Sequence, residues 1–326
     1  MIKKISYALL LLCFVAAPWV GVYPVFVLKV MCFALFACAF NLLLGYTGLL
    51  SFGHAAFFGG AAYLAGYSMK AWNVTPELGL LIGVLAGAVI GLGVGLVAIR
   101  RQGIYFAMIT LAIAQMLYFL WLQAPFTNGE DGLQGIPRGK LFGVLSLDSD
   151  LTLYYVALAI VVAAFLFIVR IVHSPFGQAL KAIKENEPRA ISLGYDVDRY
   201  KLTVFVLSAA LAGLAGALKS LVLGFATLSD VHWTMSGSVV LMTLVGGLGT
   251  LAGPVIGAFV VITLENKLGD IGGWLAKLSG IDWFNTLGES VTMVTGVIFV
   301  VCVLSFRSGI LGFFAEKLQA RAARSR

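Results

Sequence analysis

Residues 78–101 read LGLLIGVLAGAVIGLGVGLVAIRR, an unbroken apolar run that ends on two arginines. A hydrocarbon core of about 30 Å is crossed by roughly 20 apolar residues when every backbone hydrogen bond closes inside a helix. The stretch is therefore predicted to span a membrane, with the arginine pair at its cytoplasmic end. Gly83, Gly87, Gly91 and Gly95 recur every fourth residue, which predicts a smooth ridge for close helix packing.

Similar apolar stretches recur along the chain and decide its class. Of the 326 residues, 60% are hydrophobic and 11% are charged, whereas about a quarter of the residues in a soluble domain are charged. Candidate spans are 5–22, 25–45, 48–69, 78–99, 103–123, 151–170, 202–224, 235–249, 250–266 and 288–306. We therefore predict an all-α integral membrane protein, with residues 1–326 forming one polytopic helical bundle.

Two of these segments do not read as ordinary spans. Residues 48–69 and 235–249 are rich in Gly, Ser and Thr, so each is either a full span or a broken or re-entrant helix. The number of full transmembrane spans is therefore expected to be about eight to ten.

Basic residues predict the orientation of the bundle, because Lys and Arg accumulate on the cytoplasmic side of membrane helices. With ten spans, the cytoplasmic side has Lys3, Lys4, Arg100, Arg101, the stretch 170–201, Arg307, Lys317, Arg321, Arg324 and Arg326. Both termini are then cytoplasmic, whereas Arg138 and Lys140 fall outside. The basic residues flank spans rather than line one aromatic face, so nucleic-acid binding is not expected.

The first 20 residues, MIKKISYALLLLCFVAAPWV, also have the basic start, apolar stretch and small residues of a secretory signal peptide. Cleavage near Ala16 or Ala17 is one interpretation. We favour an uncleaved first span, because the chain continues directly into further membrane segments.

A second set of small residues lies in the span that follows the basic stretch. Ala209, Gly213 and Ala217 recur every fourth residue, with Ala212 and Gly216 beside them. Lipid supplies no hydrophobic drive for helix association, so close contact of small residues must supply it. Both ridges are interpreted as structural features of a tightly packed bundle.

The sequence predicts no catalytic or metal site. It lacks a Walker-type G-x-x-x-x-G-K-[ST] and an H-E-x-x-H motif, and its three histidines lie far apart. The four cysteines lie singly in apolar segments, without C-x-x-C spacing. The spans also show no acidic and basic pairs of the kind that ion-coupled carriers often bury. If solute is pumped, the energy is expected to come from another polypeptide.

The most informative soluble stretch is 173–202, HSPFGQALKAIKENEPRAISLGYDVDRYKL. Residues 179–186 are predicted to form a helix, Pro188 to start a second helix and Gly194 to end it. Either the stretch is a solvated basic loop that only fixes topology, or it is a surface that a partner binds.

The second alternative is supported by a resemblance. The pattern E-N-E-P-R-A-x-x-x-G resembles the E-A-A-x-x-x-G coupling segment of ABC importer permeases, with Ala190 and Gly194 in matching places. Arg189 replaces the first Ala, and Glu187 lies one place early. Residues 174–218, together with 41–67, 127–137 and 244–266, resemble the LivM-type permeases of branched-chain amino acid importers.

This resemblance implies an assembly in the bacterial inner membrane. The chain would pair with a homologous permease subunit, two cytoplasmic ATPases that bind the ATP, and a periplasmic solute-binding protein, with no cofactor of its own. Residues 173–201 would form a cytoplasmic coupling loop. The residues expected to couple to the ATPase are Lys184, Glu185, Glu187, Arg189, Ala190 and Gly194.

Residues 41–67, NLLLGYTGLLSFGHAAFFGGAAYLAGY, place polar side chains beside a glycine-interrupted backbone. Such a break is tolerated in a membrane only against protein or a watery cavity. Either these small and polar residues serve helix packing, or they line the path of a zwitterionic solute. The candidate path residues are Asn41, Tyr46, Thr47, Ser51 and His54.

The polar loop at 127–137, TNGEDGLQGIP, is predicted on the outer side. It is either a connector or, through Glu130 and Asp131, a contact for the solute-binding protein. The expected solute is a branched-chain amino acid, and the alternatives within the family are urea, short amides and aromatic acids. A stand-alone facilitator or secondary carrier for a small neutral solute is the competing class, and a membrane enzyme ranks third.

Overall fold

The structure, a computed structural model, describes residues 12–21, 23–143, 145–279, 294, 296, 297, 300, 309 and 310. Its helices are α1 Pro24–Thr47, α2 His54–Ala71, α3 Pro76–Ala98, α4 Ile104–Gln123, α5 Asp150–His173, α6 Pro175–Glu185, α7 Glu187–Ser192, α8 Val197–Leu223, α9 Trp233–Gly246 and α10 Gly253–Ser279. Four two-residue strands are β1 Leu133–Gln134, β2 Lys140–Leu141, β3 Leu145–Ser146 and β4 Phe225–Ala226.

Five helices of the described part are long and apolar enough to cross a membrane: α1, α3, α4, α5 and α8. They coincide with the predicted spans 25–45, 78–99, 103–123, 151–170 and 202–224, which are thereby confirmed as helices. α1 and α8 are largely buried inside the bundle, whereas α4 buries only a small share of its surface. The protein is a multi-pass helical membrane protein. The candidate span 288–306 lies largely outside the described residues, and residues 12–21 are the described part of the candidate span 5–22.

The segment predicted at 48–69 is interrupted near its start. α1 ends at Thr47, Gly48 adopts a left-handed φ of 75°, and the chain stays non-helical until α2 begins at His54. α2 then packs back along α1, with the rings of Phe36 and Phe58 4.5 Å apart. We call residues 48–53 the break.

The chain divides into two compact units, 1–239 and 240–326. In the first unit α8 is the central helix, and α1, α2 and α3 pack around it. A Cβ atom placed on Gly83 would overlap Ala217, and one placed on Gly87 or Gly91 would overlap Ala209. The two predicted small-residue ridges are thus confirmed, and they pack directly against each other.

The two ends of the first unit differ in chemistry. The end formed by the break, the α3–α4 turn and residues 170–201 contains Arg100, Arg101 and Arg170, and we call it the basic end. At the opposite end, β1 pairs with β4, and β2 pairs with β3 in a hairpin. Exposed aromatic residues of that opposite end are Trp19, Tyr23, Trp72, Phe142 and Trp233. Aromatic side chains of this kind are enriched at membrane–water interfaces.

The second unit contains a tight helical hairpin. Cβ atoms on Gly246 and Gly253 would each overlap the backbone of the other helix, and one on Gly257 would overlap the Met242 carbonyl. α9 has 14 residues, which gives about 21 Å and is shorter than a hydrocarbon core of about 30 Å. The segment predicted at 235–249 is therefore a short helix rather than a full span, and residues 253–266 of the segment predicted at 250–266 lie within α10.

Candidate functional site

Residues 174–196, which we call the coupling segment, form two short helices at the basic end. Ser174 accepts a hydrogen bond from the Gly177 N–H, at 3.3 Å, and thereby caps the start of α6. Asn186 ends α6, and its side chain accepts from the Arg189 N–H, at 3.0 Å, to start α7. Gly194, with a φ of 87°, follows α7. One asparagine thus serves two helix ends and bends the chain, as the predicted pair of helices requires.

The inner face of the coupling segment is a small apolar cluster. Ile183, Ala190 and Val197 are buried there, with Tyr200 packed against them. Ala190 is only 2% exposed, so the small side chain of the motif alanine lets α7 lie close to its neighbours. Ala190 therefore contributes to the internal packing of the coupling segment.

The outer face of the same segment presents apolar side chains to solvent. Ile191, Leu193 and Tyr195 are 57%, 69% and 40% exposed, and we call them the exposed patch. Arg189 lies beside them and is also exposed. The sequence analysis named the charged residues and missed this patch. Its signal in the sequence was the alternation of large apolar residues at 191, 193 and 195, at and just after the end of a six-residue helix.

Glu187 faces into the molecule. Its Oε1 accepts hydrogen bonds from Lys201 Nζ at 2.7 Å and from Gln102 Nε2 at 2.8 Å. The Lys201 side chain is 4% exposed and that of Glu187 is 23% exposed. These bonds tie the start of α7 to the start of α8 and to the α3–α4 turn. The Glu187 carboxylate is thus held within its own chain.

Lys184 connects the coupling segment to the end of α1. Its Nζ donates to the Gly45 carbonyl oxygen at 2.7 Å. Its side-chain stem passes over Gly48, where a Cβ atom would lie 3.6 Å from the Lys184 Cγ. Lys181, one turn earlier, holds its Nζ 5.8 Å from the centre of the Tyr46 ring. Two lysines of α6 therefore contact the last turn of α1.

The break forms one wall of an apolar cavity. The Phe52 N–H donates to Thr110 Oγ1 at 3.2 Å, which holds the break against α4. The cavity has a volume of about 460 Å³ and is lined by Gly48, Leu49, Leu50, Phe52, Gly103, Ile104, Phe106, Ala107, Met108 and Leu111. Every one of these side chains is apolar or absent. The cavity lies at the basic end of the bundle.

The predicted path residues lie in α1, the break and α2, and each is buried within this subunit. Thr47 Oγ1 donates to the Leu43 carbonyl, and Ser51 Oγ accepts from the Gly53 N–H at 3.2 Å. Asn41, Tyr46 and His54 are at most 5% exposed. Their role in a solute path stays a prediction.

His54 has an assignable tautomer. Ser208 Oγ donates its one proton to the Ala39 carbonyl at 2.6 Å, so it accepts from His54 Nε2 at 2.9 Å. His54 therefore has its proton on Nε2. Nδ1 then holds a buried lone pair, for which the described residues offer no partner. The rings of Phe40, Phe57 and Phe205 surround the imidazole edge-on.

A buried ion pair lies at the opposite end, and the sequence analysis missed it. Lys219 of α8 contacts Asp230, and both side chains are 4% exposed. Asp230 also accepts from the N–H and the hydroxyl of Thr227, at 3.1 and 2.9 Å. This pair does not contradict the expectation of no acidic and basic pairs within the spans, because only Lys219 lies in a predicted span. Asp230 follows the predicted span, and only the turn after α8 brings it back to Lys219.

Glu130 and Asp131 lie in a short 3₁₀ turn at the opposite end, and both are exposed. The loop that contains them is attached to the end of α8, where the Ile136 N–H donates to the Gly224 carbonyl at 2.9 Å. They are therefore separated from the coupling segment by the full length of the bundle.

Comparisons with known proteins place the chain in a family. A family model described as the permease component of branched-chain amino acid transport systems matches residues 25–304. The high-affinity branched-chain amino acid permease LivM of Escherichia coli K12 is 28% identical over 278 residues, 77% of this chain and 64% of LivM. The chain thus aligns with less than two thirds of that relative's length.

Other relatives have different names. The probable branched-chain amino acid permease LivH of Methanocaldococcus jannaschii is 25% identical over 269 residues, 79% of this chain and 81% of LivH. The ribose import permease RbsC of Bacillus subtilis is 26% identical over 237 residues, 71% of this chain and 68% of RbsC. No solved structure matches the chain significantly. Because the family model matches 280 of the 326 residues, this chain belongs to the family of permease components of branched-chain amino acid transport systems.

Proposed function

We propose that this chain is the membrane permease subunit of an ABC importer for branched-chain amino acids, with ATP hydrolysed by separate subunits. It would pair with a homologous permease in the bacterial inner membrane. A solute-binding protein would deliver the amino acid at the opposite end, near Glu130 and Asp131. The family, the LivM relatives and the architecture of the coupling segment support this proposal.

The exposed patch is the observation that carries the proposal. Clustered apolar side chains on a polar segment mark a surface that a protein partner covers. Here Ile191, Leu193 and Tyr195 face outward, whereas Glu187 and Lys184 bind the bundle behind them. A partner seated on the patch would therefore act on the membrane helices through those bonds. We assign this partner as the ATPase subunit, with Arg189, Glu185 and Gly194 at the contact and Ala190 beneath it.

The charge distribution supports an orientation for the assembly. Basic residues gather at the end that contains the coupling segment. By the positive-inside tendency the basic end is cytoplasmic. The opposite end then faces the periplasm, and the cytoplasmic location of both termini stays a prediction from the basic residues of the sequence.

The cavity supports an aliphatic solute over a sugar such as the ribose of RbsC. Its lining offers no side-chain hydrogen-bond partner, and a buried hydroxyl without a partner costs about 1–3 kcal/mol in proteins. A branched aliphatic side chain needs only apolar surface. Asn41, Tyr46, Thr47, Ser51 and His54 would provide the polar part of the path, because they lie in and beside the break.

The replacement Leu193→Asp tests the docking surface. A charge in the centre of the exposed patch should at least halve the amount of ATPase that co-purifies, and leucine uptake by proteoliposomes should fall about 10-fold or more, the loss typical of an interface hot spot. The matched control is Phe142→Asp, because Phe142 is as exposed, at 74%, but lies at the opposite end.

Undiminished ATPase binding by the Leu193→Asp variant would remove the patch from the proposal. Leucine uptake by this chain without any ATPase would favour the stand-alone facilitator instead. Competition by isoleucine and valine, but not by ribose or urea, is the expected substrate profile of the wild-type complex.

A further inference from the structure

We propose that Lys184 is a positioning residue that links the coupling segment to the break, so that movement of the segment moves one wall of the apolar cavity. The inference rests on the proposed function, because it takes the coupling segment as the surface that the ATPase moves. It assigns Lys184 a role within the chain, through the Gly45 carbonyl, in place of a direct contact with the ATPase.

The end of α1 shows why a lysine is needed at this point. The last carbonyls of a helix have no partner within the helix. At the end of α1, Thr47 Oγ1 binds the Leu43 carbonyl and the Gly48 N–H binds the Leu44 carbonyl. The Gly45 carbonyl is bound by Lys184 Nζ. A cation at a helix C-terminus is also favoured by the helix dipole, so Lys184 completes the cap of α1 from another element.

The same lysine lies against the cavity wall. Gly48, over which the Lys184 stem passes, is the first of the break residues that line the cavity. The far side of the break is held to α4 through the bond from the Phe52 N–H to Thr110. The wall is therefore held at two places, by α6 through Lys184 and by α4 through Thr110.

The two helices of the coupling segment bind different parts of the bundle. Through Lys184, α6 binds α1, and through Glu187, α7 binds Lys201 and Gln102. A change in the angle between α6 and α7, at Asn186, would therefore change the position of the break relative to α8 and the α3–α4 turn. Since α4 follows that turn and forms the other wall, the width of the cavity responds to the segment.

The test uses the complete importer in proteoliposomes and the replacement Lys184→Met, which keeps an unbranched stem and removes the ammonium group. We expect the ATPase to co-purify and ATP hydrolysis to continue, while leucine uptake per ATP hydrolysed falls about fivefold or more, the lower range of measured coupling between sites. Lys184→Arg, which keeps a cation and N–H donors, should restore most of this ratio. Arg199→Met is the matched control, because Arg199 is at the basic end but 86% exposed and paired only with Asp196 among the described contacts.

A second measurement reports on the wall itself. Leu50→Cys, in the break, should react with a thiol reagent at a rate that changes when ATP hydrolysis is trapped, and the added replacement Lys184→Met should abolish that change. A loss of ATPase binding in Lys184→Met would place Lys184 at the ATPase contact and overturn the proposal. An unchanged uptake ratio or an unchanged response at Leu50→Cys would also overturn it. Failure of the wild-type complex to retain ATPase or to import leucine would instead contradict the proposed function.

Discussion

Lys219 and Asp230 illustrate how single charged side chains are tolerated within this bundle. Each side chain provides the counter-charge of the other, and Thr227 donates two further hydrogen bonds to Asp230. The turn that contains Asp230 packs against α2, where a Cβ atom on Gly59 would lie 2.7 Å from the Asp230 carbonyl carbon. The pair therefore joins the end of α8 to α2 through one turn.

Removing one partner of this pair should be worse than removing both. Lys219→Met leaves a buried carboxylate without its counter-charge, which typically destabilises a protein by about 3–5 kcal/mol. The double variant Lys219→Met/Asp230→Leu removes both charges and should recover much of that loss. Thermal unfolding in detergent, followed by tryptophan fluorescence, measures the difference. Equal stability of the single and double variants would show that the two charges do not stabilise each other at this position.

At the scale of elements, α3 and α8 pack in close contact. The face formed by Gly83, Gly87 and Gly91 packs against the methyl groups of Ala217 and Ala209 and, at Gly87, directly against the backbone of α8. In a membrane such contact replaces the hydrophobic drive that holds soluble helices together. α8 can then contact α1 and α2 with its remaining faces.

Two alanine replacements on α3 separate packing from helix propensity. Gly87→Ala would place a methyl group against the Ala209 carbonyl and should destabilise the protein by about 1–3 kcal/mol through overpacking. Gly93→Ala, on the same helix, meets no atom within 4 Å and should be neutral or stabilise by up to about 1 kcal/mol. Thermal unfolding of both variants in the same detergent measures the contrast. Equal effects at the two positions would show that the ridge does not hold α3 to α8.

The coupling segment combines two kinds of surface in 23 residues. One side is bound to the bundle through Lys184 and Glu187, and the other side exposes Leu193 and its neighbours. A segment that was bound on neither side would move without moving the helices. A segment that was buried on both sides would leave no place for a partner. The arrangement is therefore suited to passing a movement from a partner to the membrane helices.

At the scale of the whole molecule, the orientation of the bundle is testable. Glu185, in the coupling segment, and Lys140, in the β2–β3 hairpin, are both exposed. Each is replaced by cysteine, one at a time, in a chain whose own four cysteines have been replaced. In intact cells an impermeant thiol reagent should label the cysteine at 140 and leave the one at 185 unlabelled, because the basic end is expected inside. Lysis should make both reactive. Labelling of residue 185 in intact cells would place the coupling segment outside and remove the proposed coupling to a cytoplasmic ATPase.

The sequence alone predicted the features that depend on residues close together along the chain. Helix bounds at α3 and α5 follow from apolar runs between Pro, Gly and charged residues, and the turn between α6 and α7 follows from Asn186 and Pro188. These features are local, because propensity, capping and hydrophobic length act within about one helix. The ridge of Gly83 to Gly95 could be predicted for the same reason, because its residues are spaced one turn apart in a single helix.

Only the tertiary structure decided which of these local features meet. The bonds from Lys184 to Gly45 and from Gln102 to Glu187 join residues 139 and 85 positions apart. No pattern within one helix encodes such pairs, since they depend on how helices pack and where turns reverse the chain. The inward direction of Glu187, the cavity beside the break and the buried pair of Lys219 with Asp230 arose in this way. The identity of the helices is therefore a local property of the sequence, whereas the polar bonds that connect them are a property of the packed bundle.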